Sequence, residues 1–260
     1  MKIQFYKYQG TGNDFIMIDQ RNVQHINHQN QNVIAHLCDR RFGIGADGLI
    51  LLENSEQADF KMVYFNSDGN QSTMCGNGGR CIVSFAHHLS IFDQKTIFEA
   101  IDGLHHGEIM DNKWVRLGMI NVEHINKLPN GDFMLNTGSP HYVQFCNETP
   151  EDIKTEGKKI RYSEPFAKDG VNVNFVVKST KSLQIATYER GVEDETLSCG
   201  TGVTAAAVCS TMDLNDGIHK INVVSKGGEL AVELNKKGGM YLDISLIGPA
   251  SFVYEGNIEI

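Results

Sequence analysis

Two short stretches carry residue types suited to proton transfer. MCGNGGRC, residues 74–81, and LSCGTGVT, residues 197–204, each set a cysteine directly before a glycine, with a second glycine two positions on. Glycines at such places let the backbone turn tightly or approach another group closely. Apolar, helix-like residues follow each corner, so Cys75 and Cys199 are expected at helix starts. There the first N–H groups have no intrahelical acceptor and the helix dipole adds partial positive charge, which suits a carboxylate ligand and favours a thiolate. A base and an acid on opposite faces of one carbon can invert a stereocentre: one thiolate removes the α-proton and the other thiol returns a proton. If the two corners face each other across a cleft, neither cysteine alone suffices, and no cofactor or metal is demanded.

Other chemistries fit these residues less well. Metal binding predicts C-x2-C pairs or histidines at ligand spacing, and a thiol redox protein predicts C-x-x-C; the chain has neither pattern. A Gly-rich phosphate loop would need the Lys-Ser/Thr pair of a Walker motif, or G-x-G-x-x-G after a strand. A non-catalytic binding module would have no need of two opposed thiols. Cys38, Cys146 and Cys209 sit among apolar neighbours, and these three together with Cys81 read as small buried hydrophobes.

The elements that must position the corners are mostly strands. Runs such as IQFYKY, FIMID, GLILL, FKMVYFN, WVRLGM, HYVQF, VNFVVK, LQIATYE, INVVS, LAVEL and YLDISL alternate with Gly, Asn and Asp. Helix patterns are few: NVIAHLCDRR, ending at Gly43, and the segments after the two corners. The class is therefore α+β and rich in strand. Laying one corner on the other at an offset of 124 residues aligns Tyr64 with Tyr188, Asn66 with Arg190 and Gly103 with Gly227. Self-similarity on this scale indicates duplication of a domain.

Composition sets the outer bounds. The 260 residues carry a formal charge of -9, with no dense basic stripe to meet phosphates, so a small molecule is the expected partner and nucleic acid is not. The segment MKIQFYKYQG alternates like a strand and does not read as a signal peptide, and no apolar run is long enough for a membrane span. Six cysteines without an export signal point to a reducing cytoplasm. A homodimer stays open.

Across essentially its whole length the chain closely resembles the diaminopimelate epimerases, pyridoxal-independent enzymes of lysine and cell-wall precursor synthesis. The resemblance lies in GTGNDF, RRFGIGADGLI, NSDGNQSTMCGNGGRC, GSPHYV, DGVNVNF and ERGVEDETLSCGTG. It implies two pseudo-symmetric domains, each a curled mixed sheet around a central helix, enclosing the substrate diaminopimelate in the cleft between them. These would be residues 1–119, completed by about 250–260, and residues 120–249. It further implies Cys75 and Cys199 as the acid/base pair, with His141 and Glu189 tuning their protonation. Asn13, Asn66, Gly76, Asn77, Asn172, Glu189, Arg190, Gly200 and Thr201 would hold the substrate. Taken singly, Asn66 and Asn172 also read as turn residues, His141 as an ordinary strand-start side chain, and Glu189 with Arg190 as a solvated ion pair. Two positions depart from the family pattern: Gly48 stands where members carry Gln, and Ser139 where they carry Asn. Proline and hydroxyproline racemases resemble the same fold but typically carry His where this chain has Asn77.

Overall fold

A computed structural model describes residues 2–260. The chain divides into two compact units, one of residues 1–117 and 248–260, the other of residues 118–247. In the first, chain order runs β1 (Lys2–Gly10), β2 (Asn13–Asp19), α1 (Gln31–Cys38), β3 (Gly48–Glu53), β4 (Phe60–Asn66), α2 (Gly76–His88), β5 (Lys95–Ala100), β6 (Gly103–Ile109) and β7 (Val115–Gly118). The second continues with β8 (Asn126–Lys127), β9 (Phe133–Asn136), β10 (Pro140–Cys146), α3 (Ile153–Arg161), β11 (Asn172–Lys178), β12 (Leu183–Glu189), β13 (Asp194–Thr196), α4 (Gly200–Ser210), β14 (Gly217–Ser225), β15 (Gly228–Lys237) and β16 (Met240–Gly248). The last strand, β17 (Ser251–Glu259), returns to the first unit and pairs antiparallel with β1.

Both units use one pairing scheme. In the first, β2 runs parallel to β3 and β4 parallel to β5, while β1–β2, β3–β4, β5–β6 and β6–β7 are antiparallel. In the second, β10–β11 and β12–β14 are parallel, and β9–β10, β11–β12, β14–β15 and β15–β16 are antiparallel. Each parallel link needs a crossover, supplied by α1 and α2 in one unit and by α3 and α4 in the other. This is the mixed-sheet, duplicated α+β fold expected from the sequence.

The helices behind the corners sit inside their sheets. α4 reads GTGVTAAAVCS, apolar or small on every side, and its residues from Gly202 to Cys209 are all buried. A helix with no polar face is stable only when enclosed, and α4 packs against β9, β10, β11, β12, β14 and β15. α2 is enclosed in the same way by β1, β2, β3, β6 and β17, although it carries Arg80 inside. Among the described residues, no helix is long and apolar enough to cross a membrane.

Several local expectations change. The helix expected over NVIAHLCDRR stops at Cys38, because the Asp39 carboxylate accepts the N–H groups of Arg41 and Phe42, each at 2.7 Å, and turns the chain. α3, outside the expected helices, is mostly polar, and only its Ile153 and Gly157 are buried; the Asp152 carboxylate caps it through Thr155 N–H at 2.9 Å. Tyr64 and Tyr188 are not counterparts. Leu49 pairs with Phe65, and Val173, at the same offset, pairs with Tyr188. Tyr188 thus matches Phe65, and Glu189, not Arg190, matches Asn66. A one-residue slip reverses the face, so Phe65 and Tyr188 are both buried while Tyr64 is only half-buried. Beyond the helices, the turn glycine matching Gly103 is Gly228: Ala100 pairs with Gly103 and Ser225 with Gly228. Of the four cysteines expected to be buried, Cys146 is half-buried.

Candidate active site

The two cysteines occupy the same local structure. Cys75 and Cys199 are the N-caps of α2 and α4, with extended backbone (φ -101°, ψ 132° and φ -113°, ψ 108°), and their carbonyls accept the N–H of Gly79 at 2.7 Å and of Val203 at 2.9 Å. The N–H groups of Gly76, Asn77 and Gly78, and of Gly200, Thr201 and Gly202, lack an acceptor within their own helix. Each corner therefore presents a thiol beside anion-binding backbone. Cys81 and Cys209 differ: burial pushes both thiols up to about 12, which leaves them as inert packing groups.

In the first unit, the structure brings Asn13, Cys75, Gly76 and Asn77 together. Asn13 Oδ1 lies 3.8 Å from Cys75 Sγ and accepts Asn77 Nδ2 at 3.3 Å, while Asn13 Nδ2 donates to Asp47 Oδ2 at 2.7 Å. Asp47, which sequence reasoning missed, thus fixes the Asn13 carboxamide with its oxygen toward the thiol. Arg40 holds Asp47 at 2.8 Å and grips Asp14 with both nitrogens, at 3.0 and 2.7 Å. Burial would raise the Asp14 carboxyl, but hydrogen bonds from Arg40 and Lys7 outweigh it and hold the group well below the usual carboxylate range. The RRFGIGADGLI segment accordingly builds the frame that orients Asn13.

Arg80, also missed, is fully buried within α2. Its guanidinium donates to Asn77 Oδ1 at 3.0 Å, Thr11 Oγ1 at 3.2 Å, and the carbonyls of Gly76 at 3.2 Å and Pro249 at 3.3 Å. It ties the first turn of α2 to the β1–β2 turn and to the β16–β17 turn. A charged residue in the middle of the otherwise small and apolar run over residues 76–86 was the available signal. Asn66 joins none of these bonds; it stands exposed at the end of β4, paired across the ladder with Gly48. A side chain at Gly48 would meet the Tyr64 ring and the Phe65 carbonyl, each at 2.6 Å, so Tyr64 occupies the space that a residue such as Gln would need.

The second unit gathers His141, Asn172, Arg190, Cys199, Gly200 and Thr201. His141 Nε2 is 2.9 Å from Thr201 Oγ1, which lies 3.5 Å from Cys199 Sγ. Burial, reinforced by the charge of Arg190, pushes the His141 imidazole down to about 3, so the ring is neutral near pH 7. Asn172 Oδ1 accepts the backbone N–H of Arg190 at 2.9 Å, and its Nδ2 donates to Ser139 Oγ at 2.9 Å. Ser139 is therefore an anchor for Asn172. Glu189 closes β12, half-buried, beside the exposed Arg190, whose Nη1 donates to the Asp169 carbonyl at 2.9 Å.

The second glycines of the two corners differ in necessity. A Cβ at Gly202 would lie 2.4 Å from Asn174 Oδ1, whereas at Gly78 the nearest atom would be Ile50 Cδ1 at 3.1 Å, the end of a side chain that can shift. We expect Gly78→Ala to leave stability within about 1 kcal/mol, since alanine gains about that much in a helix. Gly202→Ala should destabilise by about 1–3 kcal/mol through overpacking, and lower turnover as well. Urea midpoints and kcat for the pair check this; equal effects would contradict it.

The chain is similar to known proteins along nearly its whole length. The diaminopimelate epimerase family model matches the chain twice, over residues 5–125 and 133–253, as the repeat requires. A diaminopimelate epimerase of Flavobacterium psychrophilum is 55% identical over 98% of this chain and 100% of its own length, and that of Chlorobaculum tepidum 43% identical over 96% and 99%. Among solved structures, the fold is similar to a PhzF-family phenazine biosynthesis protein of Bacillus anthracis, with a TM-score of 0.76 at 13% identity over 100% of both chains. It is also similar to a hydroxyproline epimerase of Agrobacterium vitis, with a TM-score of 0.67 at 13% identity over 99% of this chain and 92% of that one. The doubled family match and the full-length identity to these relatives place the chain in the diaminopimelate epimerase family.

Proposed function

We propose that this protein interconverts L,L- and meso-diaminopimelate without pyridoxal phosphate, for lysine and cell-wall precursor synthesis, using Cys75 and Cys199 as the proton-transfer pair. One thiol comes from each unit. In one direction a thiolate takes the α-proton, breaking the Cα–H bond and forming S–H, and the electron pair moves into the substrate carboxylate. The second thiol then delivers its proton to the opposite face and becomes the thiolate, so the two roles exchange with direction. Helix N–H groups at Gly76, Asn77, Gly200 and Thr201 would stabilise the charge gathering on the carboxylate, where one well-placed donor is worth about 10²–10³ in rate. His141 and Glu189 tune the thiols; Asn13, Asn66, Asn172 and Arg190 hold the remaining polar groups.

The observation that carries this function is the duplicated corner: two cysteines cap enclosed helices in equivalent places, each with polar groups arranged around its sulfur. The names of the relatives supply the substrate. The test is incubation of purified protein with L,L-diaminopimelate in D2O, with no pyridoxal phosphate added. Meso product carrying deuterium at the inverted carbon is expected. Absence of meso product, or equal efficiency on proline or alanine, would reject the assignment.

A further inference from the structure

We propose that Asn174 is a positioning residue that holds His141 in its Nε2–H tautomer and so directs the Thr201 hydroxyl hydrogen at Cys199. The proposal rests on the reading of Cys199 as a proton-transfer thiol, and it extends that reading to a residue that touches neither thiol nor substrate.

Asn174 is fully buried on β11. Its Nδ2 donates to the Tyr142 carbonyl at 2.9 Å and lies 3.1 Å from His141 Nδ1; its Oδ1 accepts the Thr187 hydroxyl at 2.9 Å. Turning the amide over would set its oxygen against the Tyr142 carbonyl, two acceptors at hydrogen-bond distance. The Thr187 hydroxyl could adapt to either orientation, but a backbone carbonyl cannot. The amide is thus fixed with an N–H toward His141 Nδ1, and a donor facing that nitrogen requires its lone pair. The ring proton then resides on Nε2, which is 2.9 Å from Thr201 Oγ1. Having accepted that hydrogen bond, the Thr201 hydroxyl has its own hydrogen to give, and Cys199 Sγ stands 3.5 Å away.

A second observation ties Asn174 to the corner. The glycine at 202 leaves the space that the Asn174 carboxamide fills, because a Cβ there would come within 2.4 Å of its Oδ1 and 3.4 Å of Cys199 Cβ. The CGTG corner and Asn174 are therefore one packed unit. The consequence concerns role: His141 acts as a hydrogen-bond donor that favours the Cys199 thiolate through Thr201, and it does not itself take the proton from sulfur. A hydrogen bond to a charged group of this kind shifts a thiol–thiolate balance by about 10-fold or more.

The experiment begins with wild-type protein carrying 15N-histidine, with His141→Gln used to assign the ring signals. Nδ1 unprotonated and Nε2 protonated at neutral pH is the expected spectrum; Nδ1–H or imidazolium overturns the proposal, and no substrate is needed. In Asn174→Asp a carboxylate replaces the donor, so Nδ1 should become protonated, with kcat on diaminopimelate down about 10-fold or more and KM little changed. Should that variant not fold, Thr201→Val decides: His141 keeps its tautomer while alkylation of Cys199 by a small thiol reagent, followed by peptide mass spectrometry, slows about 10-fold or more. Unchanged Cys199 reactivity in Thr201→Val overturns the Thr201 link. If the tautomer and thiol results hold but no diaminopimelate is turned over, the fault lies with the assigned reaction and not with this network.

Discussion

Cys75→Ala and Cys199→Ala are each expected to abolish epimerisation, with kcat reduced at least about 10²–10⁴-fold, the typical contribution of one positioned acid or base. Inversion needs a group on each face of the carbon, so the loss should be nearly the same for either variant and should not deepen when both are combined, as expected of residues acting as a unit. The folds should survive. Both side chains are N-caps that make no capping hydrogen bond, and alanine retains the Cβ. One partial reaction separates this mechanism from a single-base alternative. A variant with one thiol can still abstract and return a proton on the same face, which exchanges the α-hydrogen with D2O without inversion. Exchange and epimerisation measured together by NMR and chiral chromatography should therefore part company in the single variants. Near-normal turnover by either variant would defeat the two-thiol mechanism.

Arg190→Ala should produce the next largest loss, in kcat/KM on both L,L- and meso-diaminopimelate. The guanidinium is held ready: its own backbone N–H donates to Asn172 Oδ1 at 2.9 Å, its Nη1 donates to the Asp169 carbonyl at 2.9 Å, and Gly170 leaves room for its stem, since a Cβ there would meet Arg190 Cδ at 2.6 Å. The DGVNVNF segment thus builds the seat of Arg190. A planar fork fixed in this way suits a carboxylate, and diaminopimelate brings a second amino-acid end that simple amino acids lack. Removing one partner of such a pair in a closed site costs about 2–5 kcal/mol, which corresponds to a loss of roughly 30-fold to several thousand-fold. Arg190→Lys should recover only part of it, because a point charge cannot make both bonds. Cys75 and Cys199 should keep their reactivity toward small alkylating reagents. Unchanged kcat/KM in Arg190→Ala would remove the residue from the substrate site.

Much of the molecule is legible in its residues alone, for reasons that are local. Val- and Ile-rich runs broken by Gly, Asn and Asp mark the main strands because β-branched side chains suit a pleated, half-buried surface. The all-round apolar run after Cys199 announces an enclosed helix, and the cysteine-glycine corners announce where such helices start. Self-similarity around the corners reveals the duplication, which the doubled family match also finds. Elements governed by tertiary contacts are not legible in this way: α3 buries few side chains, and β17 becomes a strand by pairing with β1, which lies at the other end of the chain.

The division in the site follows the same physics. Sequence alone singled out the residues we propose for the chemistry, because a thiol before a glycine at a helix start has a meaning independent of its neighbours. Only the tertiary structure decided how those groups are aimed. The orientation of Asn13 depends on Asp47, the proton on His141 depends on Asn174, and the first turn of α2 depends on Arg80 and a carbonyl at Pro249. The one-residue slip that makes Glu189 the counterpart of Asn66 is likewise a property of ladder pairing. Hydrogen-bond partners far apart in the chain are chosen by packing, and a strand's facing is set by its neighbour's register, so neither leaves a periodic or compositional trace in the sequence.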